Sequence, residues 1–475
     1  MKKRKNNRIG IVFVLTVLAI VCLFVFYAHH VIKTKYPWLP DYVIQQLSKE
    51  KFEVDQGPRH LMFLMVDHFE PHDQAAMDRW MEDYPKMAVK HRDADGRYPQ
   101  HTWYWMFFYA DEEESFHYLQ QLSQLAYDGF GEIEKHLHHR NDTEAGFLEK
   151  MGDGISLSQK TGAMITAETR PRTAFSFIHG LWALDNSRGG NVCGVNNEII
   201  LLKRLGCYAD FTHPSWGRMH PSIVNKIYYA IDDPEKPKSY DRGIEMQVGR
   251  VGVGDLVIFT GQSFLTFEGL KPRYDHGEID PEHLPTPERI DRWVQHGIHV
   301  KGRPEWIFVK VFSHGAEPED HDVMLGEWRN KLHAYLEEKY NDGKRYVLHY
   351  VTGREAYNIA KAAEAGKTGN PTDYRDFVIP PYVNRSFIAS SAFETMSFDP
   401  NGIVVKFLME KDAVEEARIH YRVTSVQGAC EVQDRIEKES ETIIKFKAAQ
   451  DKPVCGFNIG EKPKAAETLL QGSME

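Results

Sequence analysis

The chain has 475 residues, of which 42% are hydrophobic and 27% charged, with 23 Pro and 35 Gly; disordered, collagen-like and multi-span membrane compositions are excluded. At about 150 residues per domain the length allows two or three domains with a large buried core. The formal charge is −10, and five of the 58 basic residues (Lys2, Lys3, Arg4, Lys5, Arg8) lie in the first eight, so the rest is strongly acidic and no nucleic-acid partner is expected.

Behind residues 1–8 the stretch from Ile9 to Ala28, IGIVFVLTVLAIVCLFVFYA, is uncharged and twenty residues long. At about 1.5 Å per residue it matches the ~30 Å hydrocarbon core of a bilayer. It exceeds the usual apolar stretch of a cleaved leader, and Phe26, Tyr27 and Ala28 offer no small-x-small cleavage site. The expectation is a single-pass anchor in the cell membrane, with the basic tail cytoplasmic and the bulk of the chain on the extracytoplasmic side. Outside the span lie Cys193, Cys207, Cys430 and Cys455. Sequence proximity pairs Cys193 with Cys207 and Cys430 with Cys455, buried free thiols being the alternative.

Residues 29–57 read as a stalk and connector. From residue 58 short apolar runs, LMFLMV (61–66), AFSFI (174–178), LVIF (256–259), IFVKVF (307–312) and YVL (346–348), alternate with helical patterns at 114–127, 197–205 and 323–339. Runs this short suit strands buried on both faces, and the alternation predicts an α/β fold with a parallel sheet, as an irregular barrel, over 58–379. Over 380–475 the texture changes to GIVVKF, ARIHYRVT, CEVQDRIE, ETIIKFKA and PVCGFNIG, which predicts a small all-β domain.

Chemistry-bearing residues cluster at predicted strand ends, where parallel α/β sheets place their sites. Asp67-His68 follows LMFLMV. The segment GEIEKHLHHRND (131–142) places His136, His138 and His139 within four positions. Imidazoles with a carboxylate suit a hydrolytic metal site that keeps one position open for water. If residues 133–138 are a strand, His136 and His138 share a face; a turn after Leu137 instead returns His139 toward His136. His314 ends IFVKVFSH and is a candidate general acid; His349 has a similar placement but sits beside the ion-pairing candidates Arg354 and Glu355. His179, Trp182 and Asp185 are candidates for a sugar-binding wall, since aromatic faces stack on pyranose C–H surfaces, and Asp210, His213, Trp216 and His220, on a loop stiffened by Pro214 and Pro221, are candidates for a substrate loop. The chain contains no GxSxG, GxxxxGK[ST] or GxGxxG motif.

Taken in order, residues 58–365 resemble a divergent branch of the polysaccharide deacetylase (carbohydrate esterase) superfamily. Asp67-His68 stands where that family has an Asp-Asp pair, and Glu132-Ile133-Glu134-Lys135-His136 is similar to the first half of its second motif. Arg140 stands where the second histidine of that motif falls, so His138 or His139 substitutes. Gly206-Cys207-Tyr208 and Phe312-Ser313-His314 resemble two later motifs, while Phe177–Trp182 occupies the place of the arginine-proline motif. The resemblance implies a distorted (β/α) barrel that removes acetyl groups from an envelope or extracellular polysaccharide with a divalent metal, zinc first. His68, His136 and His139, with His138, are the implied ligands. Asp67 is the implied base or a further ligand, and His314 the acid. The rival expectation is a catalytically inactive, membrane-anchored carbohydrate-binding or assembly protein of the same fold.

Overall fold

The computed structural model describes residues 2–47, 57–107, 112–161, 163, 174–215, 217–269, 271–380, 388–399, 402–419, 422–438 and 441–459. Helix α1 (Lys2–Lys35) carries the apolar stretch, and its part Val17–Lys35 is long, apolar and unburied enough to cross a membrane. The expected stalk is not free-standing. After α1, Trp38 is buried against His220 and Tyr274, and α2 (Leu39–Leu47) is tied down by Asp41, which pairs with Lys226 at 2.9 Å and accepts from the Val224 amide. An indole sheltered from water and a half-buried ion pair explain why a connector read only from its prolines docks.

The central unit runs β1 (Arg59–Phe69), α3 (Gln74–Ala88), β2 (His101–Met106), α4 (Glu112–Tyr127), β3 (Gly131–Leu137), α5 (Glu144–Thr161), β4 (Phe175–His179), α6 (Glu198–Leu205) and β5 (Cys207–Asp210). It continues through β6 (Ile227–Ala230), β7 (Gly243–Glu245), β8 (Leu256–Phe259), β9 (Phe264–Glu268), β10 (Lys271–Asp275), α7 (Pro287–Gln295), β11 (Trp306–Ser313), α8 (His321–Met324), α9 (Glu327–Tyr340), β12 (Tyr346–Tyr350) and α10 (Gly353–Glu364). The sheet order is β11-β1-β2-β3-β4-β5-β8-β6-β7, with β12 also on β1, and all pairings are parallel except those of β6. The loop after β8 returns to β11, where Gln262 accepts from the Lys310 amide.

Strand periodicity sorts β1 into two cores. Leu61, Phe63, Met65 and Phe69 pack with Met77, Trp80 and Tyr84 of α3, Leu119 and Leu122 of α4 and Leu332 and Leu336 of α9. Met62, Leu64 and Val66 face the other way, toward Phe308 and Phe312 of β11 and Ala356, Ile359 and Ala363 of α10. Helix α10 is buried along its whole length and is started by a capping box between Thr352 and Glu355, which satisfies amides that no water reaches.

The carboxy-terminal region is all-β, as its alternation predicts. β13 (Ile388–Ala389), β14 (Phe393–Asp399), β15 (Gly402–Phe407), β16 (Val414–Ile419), β17 (Val423–Gly428), β18 (Cys430–Glu437), β19 (Thr442–Ala448) and β20 (Val454–Ile459) form two antiparallel sheets, β13-β16-β19-β18 and β14-β15-β20-β17. Val405 and Phe457 from one sheet share a core with Ala417, Ile444 and Phe446 from the other. The Cys430–Cys455 disulfide joins the two sheets. The companion pairing does not form: Cys193 and Cys207 are buried free thiols, one in the loop before α6 and the other opening β5 after it.

Candidate metal centre

β1 runs three residues past LMFLMV, to Phe69, and this decides which side chains meet. Within an extended strand Asp67 and His68 must face opposite ways. His68 points to the α10 side, and Glu70, two residues on, shares its face. At the end of β3 the same two-residue step puts His136 and His138, the residue after the strand, together. The carboxyl ends of β1 and β3 thereby deliver two short motifs, His68-Phe69-Glu70 and His136-Leu137-His138, to one place.

There Glu70 Oε1 lies 2.7 Å from His136 Nε2 and 3.0 Å from His138 Nε2, and the two imidazole nitrogens are 3.2 Å apart. One ligand atom from each of His68, Glu70 and His136 falls within 4.8 Å of the others. The His68 ring stands edge-on to that of His136, with centroids 4.9 Å apart, and 4.7 Å from the ring of His314, which follows β11. His136 Nδ1 lies 2.8 Å from the Ile178 carbonyl, which orients the ring with Nε2 toward Glu70. Burial, reinforced by His314 and His136, pushes the His68 imidazole well below its usual range. Burial also lowers His136, against the pull of Glu70. Burial alone would raise the Glu70 carboxyl, but hydrogen bonds from His136 and His138 outweigh it and hold it well below the usual carboxylate range. Neutral imidazoles beside an ionised carboxylate are the protonation state in which these groups bind a divalent cation. The group keeps contact with solvent: the His138 side chain is 26% exposed and that of Glu70 14%.

Asp67, the expected base or ligand, is elsewhere. It lies on the helix side of β1, accepting from His101 Nε2 at 2.8 Å, from Ser313 Oγ at 3.2 Å and from the Gly315 amide at 2.7 Å. Burial lowers the His101 imidazole to about 4 despite this carboxylate. His139 also departs from expectation, because the chain turns at the end of β3 and sends it away from His136. Its Nε2 lies 2.9 Å from His179 Nε2 and 3.1 Å from Glu198 Oε1. His179 is therefore not part of a sugar-binding wall; it is wholly buried, and burial holds its imidazole at about 4.

Chain comparison adds no relative: the sequence matches no family model and no curated protein. The site thus rests on its geometry.

Of the remaining expected residues, Trp182 is well placed. Its ring centroid is 6.0 Å from that of His68 and 6.1 Å from that of His314, and its enclosed Nε1–H has no acceptor among the described residues. Asp210 is fully buried and caps its own loop, accepting from the Thr212 amide at 3.0 Å and Thr212 Oγ1 at 2.7 Å, so it offers nothing to a ligand. Trp216 lies outside the described residues. His349 is occupied by Asp95 and His60, each at 2.8 Å. Arg354 pairs with Glu132 and Asp376, while Glu355 takes Arg97 and Arg375; these ion pairs line a 430 Å³ cavity at the amino-terminal end of β3, away from the histidines. Sequence reasoning missed Glu70, Cys193 and Glu198. For Glu70 a signal existed, the same two-residue spacing that united His136 with His138.

Proposed function

We propose that the protein is a metal-dependent hydrolase that removes acetyl groups from an envelope or extracellular polysaccharide, held at the cell membrane by α1 with its bulk on the extracytoplasmic side. In this reading the parallel sheet is a distorted barrel of the polysaccharide deacetylase kind. The observation that carries the proposal is the convergence of His68, Glu70 and His136, with His138, at the open carboxyl ends of β1 and β3. Three imidazoles and one carboxylate, one imidazole already oriented by a backbone carbonyl, fit a divalent ion, and the nitrogen-rich set favours zinc.

When bound, the ion supplies a Lewis acid that polarises the acetyl carbonyl and acidifies water. The protein's own residues do the rest. Trp182 presents an aromatic face to the sugar, fixing the acetyl group over the site. His314, beside His68, holds a proton for the departing amine or alkoxide. With Asp67 committed on the opposite face of β1, the role of proton acceptor is assigned to Glu278, whose backbone pairs with Phe312, two residues before His314.

Acetate release from a panel of N- and O-acetylated glycans, by detergent-solubilised full-length protein with and without added zinc, tests the proposal. Metal-dependent release that disappears in His68→Ala is expected; no release from any glycan under either condition contradicts it. That outcome would favour an inactive carbohydrate-binding protein, a reading supported by the commitment of Asp67 to His101, Ser313 and Gly315.

A further inference from the structure

The second histidine-rich group lies on the opposite side of the β3 end and has a different character. Its donors come from three segments: His139 just after β3, His179 as the last residue of β4, and Cys193 and Glu198 from the loop and first turn of α6. His139, His179, Cys193 and Glu198 each offer a ligand atom within 4.8 Å of the others, and all four are buried. His179 Nε2 is 3.3 Å from Glu198 Oε1, and Cys193 Sγ is 3.8 Å from Glu198 Oε2.

The outer contacts of the two imidazoles fix their protons. His179 Nδ1 is 2.7 Å from the Gly180 carbonyl, which only accepts, so the proton sits on Nδ1. His139 Nδ1 faces Asp142 Oδ2 at 3.0 Å and donates to it. With each Nδ1 so engaged, both Nε2 atoms are turned inward, toward each other and toward Glu198 Oε1. A cation at their centre would take a ligand atom from each of the four side chains, the sulfur included. The surroundings are those of held ligands. Asp142 orients His139, the Gly180 carbonyl orients His179, the Asp185 amide donates to Glu198 Oε2 at 2.6 Å, and the Val195 amide donates to Cys193 Sγ at 3.5 Å.

We propose that His139, His179, Cys193 and Glu198 form a closed structural zinc site, distinct from the open group at His68, Glu70 and His136. One sulfur, two nitrogens and one oxygen make a four-coordinate set suited to zinc, and their burial leaves no position for water or substrate. The site staples a strained segment. Leu181, Trp182, Asp185 and Asn186 all have left-handed backbone conformations, and a Cβ at Gly194 would lie 2.6 Å from the Asp142 carbonyl oxygen. Pinning His179 on one side of this segment and Cys193 and Glu198 on the other fixes Trp182 beside His68 and His314.

The inference stands apart from the proposed hydrolase activity, since only this group contains sulfur. Full-length protein in detergent, stripped with a chelator and reloaded with Co²⁺, is expected to show a thiolate-to-cobalt charge-transfer absorption in the near ultraviolet. Cys193→Ser is expected to lose that band, while His68→Ala keeps it. Zinc bound to untreated protein is expected to fall by one equivalent per chain in Glu198→Gln. Wild-type protein that takes up cobalt without thiolate absorption overturns the proposal, as does a band that persists in Cys193→Ser.

Discussion

Two donor groups flank the end of β3, and a single step along the chain separates them. His138 joins the group that keeps solvent contact, whereas His139 joins one sealed from water. The open group has nitrogen and oxygen donors, a neighbouring unshared imidazole in His314 and an indole beside it. The closed group adds a thiol, and every donor in it is braced by a hydrogen bond. The end of β3 produced this division, the two-residue step keeping His138 with His136 and the turn after the strand sending His139 away, so adjacent histidines serve different ends. The general lesson is that a histidine run at a strand terminus is to be divided by face before it is counted as one ligand set.

The comparison breaks most visibly at the open group. His136→Ala removes the imidazole shared between Glu70 and His138, and is expected to abolish acetate release while cobalt–thiolate absorption at the closed group persists. Release by His136→Ala at the wild-type rate would merge the two groups into one structural feature. His314→Gln is expected to lower kcat by about 10²–10⁴-fold with metal content unchanged, the range for loss of a positioned general acid. A matching loss of metal would make His314 a ligand instead.

Asp67→Asn sharpens the contrast between the two faces of β1. The carboxylate receives three buried hydrogen bonds, so the substitution is expected to destabilise the fold by about 1–3 kcal/mol in chemical denaturation, without changing kcat of the folded fraction. A collapse of kcat at unchanged stability would restore Asp67 to the chemistry. The smallest effect lies at the other end of the sheet. Burial alone would raise the Glu355 carboxyl, but Arg375, Arg97 and Arg354 outweigh it and hold it at about 2. A depressed native value means that the stabilisation is present above the ordinary value and lost on acidification, here between about pH 4.5 and about pH 2. Denaturation midpoints against pH are expected to fall over that window, and to fall less in Glu355→Gln.

Much of the architecture was legible in the sequence, because LMFLMV, AFSFI, LVIF and IFVKVF are short, apolar runs of the kind that form strands buried on both faces. The site was legible in part. His68, His136 and His138 meet as strand-end placement predicts, but ending β1 at Val66 hid the fact that Asp67 and His68 lie on opposite faces. Phe69 was the missed cue, an apolar residue continuing the helix-facing series of Leu61, Phe63 and Met65. Cys193 and Glu198 gave no local signal: their partners lie just after β3 and at the end of β4, and the parallel pairing of those strands brings His139 and His179 within reach.

The central claim is that strand alternation gathers His68, Glu70 and His136 around one divalent ion. An anomalous difference map at the zinc edge, from crystals of zinc-loaded protein, tests it directly. The account predicts a peak bounded by those three side chains, with Asp67 hydrogen-bonded to His101 on the far face of β1. Density for all three side chains with no anomalous peak between them would contradict it.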